Sequence, residues 1–128
     1  MARHIQKMND FKKAIERLKE GGAEQETEII IDGVMQRFEF TFELAWKTLK
    51  EYLEYQGFVE KTGSPREIIK TGFEKGIIKD GELWIEMMLD RNRVAHMYDE
   101  EQSREVYRTI KSKYIKLFEE LREELELE

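Results

Sequence analysis

Residues 27–57 read TEIIIDGVMQRFEFTFELAWKTLKEYLEYQG, and this stretch decides the fold class of the chain. Its apolar residues recur every three or four positions, which is the period of an amphipathic α-helix. We predict one long helix from about Thr27 to Gln56, ended by Gly57 as a natural C-terminal cap. The predicted buried stripe comprises Ile31, Val34, Phe38, Phe42, Ala45, Leu49 and Leu53.

A second apolar set, formed by Phe40, Leu44 and Trp46, lies off that stripe. A helix that is apolar on more than one side is either central in its bundle or lies at a subunit interface. The sequence leaves both possibilities open.

Four further helices flank the long one. The first is predicted from about Ile5 to Lys19 and is stopped by Gly21-Gly22. Ser64 and Pro65 provide the N-cap and first-turn residue of the third helix. The third helix is predicted to end near Gly76, and the fourth to begin at Asp80. The fifth is predicted over about Ser103–Leu125.

Helices joined by short loops pack as an antiparallel bundle. We therefore predict an all-α, up-and-down bundle of four to five helices, with residues 1–128 as a single domain. The acidic end, Glu119 to Glu128, is expected to be a solvated helix tail.

The composition limits the possible functions. The chain has no cysteine, which excludes thiolate chemistry and disulfide scaffolds and fits a reducing compartment. No stretch approaches the ~20 apolar residues of a membrane span, and no signal peptide is recognisable, so we expect a cytoplasmic protein without a membrane partner. A net charge of −6 argues against general DNA binding but leaves room for a small basic phosphate site.

The stretch Arg91-Asn-Arg-Val-Ala-His96-Met-Tyr98 carries the most chemistry. Histidine transfers protons near neutral pH, and the arginines Arg91 and Arg93 can bind phosphate oxygens. Together these residues are suited to metal-independent phosphodiester cleavage. The alternative is that both arginines pair with Asp90, Glu86 or other surface acids, as charged helix faces usually do.

Helix geometry constrains this stretch, because Arg91 and His96 lie about 140° apart around a continuous helix while Asn92 and His96 share a face. Either the helix ends near His96, or the site is assembled across a dimer. The hydroxyl of Tyr98 is a candidate for phosphate contact or modification, and the alternative is a half-buried anchor at the helix end.

Metal and cofactor signals are weak. Glu39 and Glu43 lie four apart, but no Glu-x-x-His pair of a di-iron bundle occurs, and ion pairing of Glu43 with Lys47 is favoured. The glycines do not match a phosphate-binding loop. We expect neither a metal site nor a cofactor.

The motif Arg91-x4-His96-x-Tyr98 resembles the signature of the HEPN family, in its HepT-like branch of nucleotidyltransferase substrate-binding proteins. The similarity extends over nearly the whole chain. It includes Arg37-Phe-Glu-Phe-Thr-Phe-Glu-Leu-Ala-Trp-Lys47, Pro65, the turn Gly76-Ile-Ile-Lys-Asp80, Trp84 and Arg91-Asn92, in the order of the family.

The resemblance implies a homodimeric bundle in which two Arg-x4-His motifs face one cleft. Active relatives are metal-independent endoribonuclease toxins, and a minimal nucleotidyltransferase serves as antitoxin by adding AMP to the tyrosine of the motif. By this resemblance Arg91 binds the scissile phosphate of RNA, Asn92 is its polar companion, His96 is the acid/base and Tyr98 is modified.

Three hypotheses follow. A ribonuclease requires His96 to be accessible in a cleft, whereas a non-catalytic binding subunit of a nucleotidyltransferase complex has the cleft without cleavage. A purely structural protein would bury His96 in its core.

Overall fold

The computed structural model describes residues 2–58, 63–96 and 99–127, with side chains from residue 6 onward, and all regular structure in these ranges is helical. The predicted all-α class is therefore confirmed. The elements are α1 (Ala2–Gly22), α2 (Glu28–Tyr55), α3 (Pro65–Glu74), α4 (Gly81–Val94), α5 (Glu100–Thr109), a π-helical turn (Ile110–Tyr114) and α6 (Ile115–Leu127).

Helix α2 is central, since α1, α3, α4, α5 and α6 all pack against it. Ion pairs show the helix directions. Lys7 near the start of α1 pairs with Glu51 near the end of α2, so α1 and α2 run antiparallel. Of the apolar set that lies off the main stripe, Leu44 and Trp46 are partly buried against the core, whereas Phe40 remains 59% exposed.

The core is built around aromatic side chains from four helices and the π turn. Phe38 of α2 stacks on Tyr114 with 5.6 Å between ring centroids. Trp84 of α4 packs edge-on against Phe118 of α6 at 5.9 Å, and Phe118 also contacts Phe11 of α1. These rings fix the position of α4 relative to α2 and α6, and α4 carries the motif.

The structure confirms the predicted signals for helix ends. Gly57 and Gly76 both adopt a positive φ of 77°, and each closes its helix with the paired backbone hydrogen bonds of a Schellman motif. The hydroxyl of Ser64 accepts from the amide of Glu67, and the Asp80 carboxylate accepts from that of Leu83. Helices α3 and α4 therefore begin where predicted.

Helix α1 is longer than the predicted Ile5–Lys19, because Gly21 and Gly22 form its last residues rather than lying beyond it. A Cβ atom at Gly21 would stand 3.0 Å from a methyl of Val34. The glycine therefore serves the close approach of α1 to α2, in addition to ending the helix nearby.

The predicted fifth helix over about Ser103–Leu125 is confirmed as one unbroken helical run, but it begins earlier than predicted. Asp99 is the N-cap, since its carboxylate accepts from the amide of Glu101, and Ser103 lies inside α5. The π turn over Ile110–Tyr114 lies within this run, between α5 and α6, and the amide of Ile115 bonds to the carbonyl of Ile110.

The expectation of a solvated acidic tail holds only in part for residues 119–127, because Glu120, Glu123 and Glu126 are exposed but one side of the helix packs on the core. Leu121 and Leu125 are buried. Glu126 pairs with Lys12 at 2.7 Å and Glu119 pairs with Lys19 at 3.4 Å, so the acidic face of α6 lies antiparallel along α1.

Candidate functional site

The end of α4 places the motif. The helix stops at Val94, Ala95 caps it, and the amide of His96 bonds to the carbonyl of Arg93 at 2.9 Å. The helix therefore ends before His96, one of the two arrangements that the sequence leaves open, and an assembly of the site across a dimer is not tested by this end. The side chain of His96 is exposed, which is the opposite of the buried histidine expected of a purely structural protein.

His96 lies on a groove of about 700 Å³ between α4 and the segment from α5 to the π turn. Three of the predicted site residues, namely Asn92, Arg93 and His96, line it together. The remaining lining residues are Glu86, Leu89, Asp90, Gln102 and Tyr114.

Arg91 does not line this groove. Its Nη2 lies 2.9 Å from Oε1 of Glu43 on α2, and the other oxygen of Glu43 lies 3.3 Å from Nζ of Lys47. The Arg91 side chain is 30% exposed, and its Nε is buried without a hydrogen-bond partner among the described residues. Within one chain Arg91 therefore contacts α2, whereas His96 lines the groove.

The wall of the groove contains a connected set of polar groups. Arg93 Nη2 donates to Oδ1 of Asp90 at 2.8 Å, and the hydroxyl of Tyr114 donates to Oδ2 of the same carboxylate. Burial and, next, the hydrogen bond to Asp90 raise the pKa of Tyr114 far above its usual range, so the phenol stays a neutral donor. Asp90 thereby links Arg93 to the helix on the opposite side of the groove.

Tyr114 is a groove residue that the sequence did not indicate. Its position in the apolar stripe of the fifth helix predicts only a core side chain, and its ring is indeed buried. The signal that identifies it is structural, because Tyr114 is the last residue of the π turn, and such turns often occur at functional sites.

The charges of the groove are mixed. Glu86 and Asp90 oppose the single guanidinium of Arg93, and Asp90 already pairs with it. One chain by itself therefore offers a phosphate group in this groove no net positive charge.

Two further expectations concern Tyr98 and metal binding. Tyr98 lies outside the described residues. Among the residues that are described, no three His, Asp or Glu side chains form a cluster able to hold a metal ion. Glu43 instead pairs with Lys47, as predicted, and also with Arg91.

The sequence matches the profile of the family described as nucleotidyltransferase substrate binding protein like, over residues 6–127. A curated relative from Haemophilus influenzae, named probable ribonuclease HepT, is 31% identical over 84 residues. That alignment covers 63% of this chain and 58% of the relative's length.

Solved structures give the same result for the fold. A crystal structure of a Thermus thermophilus protein superposes with a TM-score of 0.80 at 33% identity, covering 87% of this chain and 94% of that one. A Haemophilus influenzae protein, described as having the fold of a substrate binding domain of a nucleotidyltransferase, superposes with a TM-score of 0.82 at 24% identity. It covers 93% of this chain and 98% of its own, and at this identity it shows the fold alone.

No helix in the described ranges is long and apolar enough to cross a membrane.

Proposed function

The chain belongs to the family of nucleotidyltransferase substrate-binding proteins, and from this premise we propose that it is a HepT-like, metal-independent endoribonuclease paired with a minimal nucleotidyltransferase. The observation that carries the proposal is the exposed His96 at the end of α4, on a groove that it shares with Asn92 and Arg93. The name of the relative, probable ribonuclease HepT, supports the same activity.

The proposed chemistry uses the nucleophile that RNA itself carries. The 2′-oxygen forms a bond to the adjacent phosphorus while the bond from phosphorus to the 5′-oxygen breaks. A base takes the proton of the 2′-hydroxyl and an acid supplies one to the leaving 5′-oxygen. His96 is the group for proton transfer, and arginine guanidiniums stabilise the charge on the phosphate oxygens.

A second copy of the chain is part of the proposal. Arg91 faces α2 and His96 faces the groove, so one chain does not present both groups to one phosphate. A homodimer with two motifs at one cleft brings Arg91 of one protomer towards His96 of its partner. It also supplies positive charge that the groove of a single chain lacks.

Regulation is proposed to act through Tyr98, two residues after His96. In the transfer of AMP by the nucleotidyltransferase, the tyrosine oxygen forms a bond to the α-phosphorus of ATP, the bond from this phosphorus to the departing pyrophosphate breaks, and the hydroxyl proton is lost. The attached AMP brings a phosphate and a base to a position two residues from His96 in the sequence. The phosphate competes with RNA for guanidiniums such as that of Arg93, and the base blocks access.

A second candidate function is a non-catalytic subunit that presents a substrate to a nucleotidyltransferase. It is favoured by the carboxylates of Glu86 and Asp90 in the groove, which oppose phosphate binding. This function needs the groove but no proton transfer by His96.

Cleavage of RNA in the presence of EDTA decides between the two functions. For a ribonuclease, wild-type protein cleaves, and His96→Ala loses activity by a factor of about 100 or more, the usual contribution of a general acid or base. Arg91→Ala is also inactive, while Arg66→Ala, an exposed arginine on α3, serves as the control. Activity that requires magnesium or survives without His96 contradicts the mechanism. Wild-type protein without cleavage favours the binding subunit.

A further inference from the structure

A second groove, of about 420 Å³, lies between α1 and α2, away from the motif. Its walls include Arg17 of α1 and, on α2, Gly33, Gln36, Arg37, Phe40 and Thr41. Two of these residues are cations and none is a carboxylate, although the chain carries a net charge of −6. In this respect it differs from the His96 groove, which contains Glu86 and Asp90.

The two arginines are available for an anion. No carboxylate among the described residues lies within ion-pair distance of Arg17 or Arg37. Nη1 of Arg37 donates to the main-chain carbonyl of Arg17, which holds the Arg37 guanidinium in place and leaves its other N–H groups to donate elsewhere. Each guanidinium presents a planar fork of donors that matches phosphate oxygens.

An aromatic ring stands beside the arginines. Phe40 follows Arg37 by three residues, so it lies one turn further along the same face of α2, and it is 59% exposed. The Gly33 position has no neighbouring atom within 4 Å of an added Cβ, so the groove is open on that side. Exposed aromatic rings next to cations are the usual means by which proteins bind nucleotide bases without sequence preference.

We propose that this groove binds a nucleotide, with its phosphate on Arg17 and Arg37 and its base stacked on Phe40. The exposed amide of Gln36 offers a donor and an acceptor to the edge of the base. The volume is within the range of small-ligand sites, about 300–1,000 Å³. The nucleotide is either one unit of an RNA strand or a free mononucleotide, and binding is independent of cleavage at His96.

Two probes test the site and distinguish a free mononucleotide from one unit of an RNA strand. They are AMP and a short single-stranded oligoadenylate with 2′-O-methyl sugars, which cannot be cleaved through the 2′-oxygen. Calorimetry gives the affinity, and amide chemical shifts locate the contact. We expect Arg17→Glu to weaken binding by tenfold or more, and Phe40→Ala by about fivefold or more, the usual loss when one stacked base is removed. Matched controls are Arg66→Glu and Phe73→Ala, which alter exposed residues on α3.

Binding of the oligonucleotide alone assigns the groove to an RNA strand, and binding of AMP as well assigns it to a free nucleotide. Either result supports the site if the shifts centre on Arg17, Arg37 and Phe40. The proposal is overturned if neither probe binds with a dissociation constant below about 1 mM, a weak limit for a specific site. Equal affinity of wild type and Arg17→Glu overturns it too, as does dissociation of an oligomer by Phe40→Ala, which would make Phe40 a subunit contact. None of these results depends on RNA cleavage, so the binding site and the ribonuclease activity are tested independently of each other.

Discussion

The guanidinium of Arg91 lies 2.9 Å from the carboxylate of Glu43, on the side of α4 that faces α2 and not the His96 groove. Glu43 also binds Lys47, so it holds two cations at once. A phosphate that binds Arg91 has to compete with this carboxylate.

Glu43→Gln is therefore expected to lower the KM for RNA severalfold, because removing the negative charge frees Arg91 for phosphate. The free energy of unfolding should fall by less than about 1 kcal/mol, since the pair is partly exposed. Steady-state cleavage kinetics and urea denaturation measure the two effects. Glu39→Gln, with the same change of charge one turn earlier on α2, is the control. A rise in KM would show instead that Glu43 orients Arg91.

Tyr114→Phe should destabilise the protein by about 1–3 kcal/mol, because the Asp90 carboxylate loses a donor in a partly buried site. Urea denaturation measures this loss. The control is Tyr107→Phe, since the hydroxyl of Tyr107 is buried without a partner among the described residues. That variant should be as stable as wild type or more so. Equal effects of the two substitutions would contradict the role given to the hydrogen bond with Asp90.

Glu26 should make the stability depend on pH. Hydrogen bonds from Arg104, in the first place, and from Arg108 lower the pKa of this carboxyl below its usual range. A lowered pKa contributes stability above the pKa of the unfolded chain and loses it as the pH falls through the folded value. The small difference in unfolding free energy between wild type and Glu26→Gln should therefore be largest near neutral pH and disappear in acid. Glu24→Gln, an exposed residue in the same loop, should show no such trend.

A homodimer is expected in solution, because Arg91 and His96 of one chain do not face the same groove. Light scattering coupled to size exclusion should give twice the chain mass at tens of micromolar protein. A monomer at that concentration would contradict a site shared between two chains.

Tyr98 is expected to accept AMP when the chain is co-expressed with its nucleotidyltransferase, and intact-mass spectrometry detects the adduct. Tyr98→Phe should keep ribonuclease activity and escape silencing. Of the other four tyrosines, Tyr52, Tyr107 and Tyr114 are buried, whereas Tyr55 is 72% exposed and is the internal control. An adduct on Tyr55, or none at all, would disprove the assignment.

The sequence predicted those parts of the fold that depend on neighbouring residues. Caps such as Ser64 and Asp80, and the glycines that follow α2 and α3, act within a few positions of themselves, and the long stripe of α2 needs only its own period. The resemblance to the family rests on short motifs, so it too can be found from the sequence alone.

The remainder depends on partners distant in sequence. Nothing near Arg91 in the chain indicates Glu43 as its partner, because that contact results from the packing of α4 on α2. The ion pairs of the acidic stretch at the end of the chain have no local signal either, because the lysines that bind it, such as Lys12, belong to α1. Apolar spacing of three and four residues fits a regular α-helix and one with a π turn equally well, so the π turn before Ile115 has no signal in the sequence.

The π turn has a consequence for the tolerance of the chain to insertions and deletions. The π turn holds one residue more than a regular α-helical turn, as if a residue had been inserted between Ile110 and Tyr114. Removing one residue there would return the segment to regular α-helical winding. Because the π turn absorbs its extra residue locally, that deletion would leave α5 and α6 facing nearly the same way, whereas a deletion in regular α-helix rotates all that follows by about 100°. A deletion within α6 before Glu119 would therefore carry Glu119 and Glu126 away from Lys19 and Lys12. The π turn is thus the place in the last helical segment where the loss of one residue disturbs the contact with α1 least.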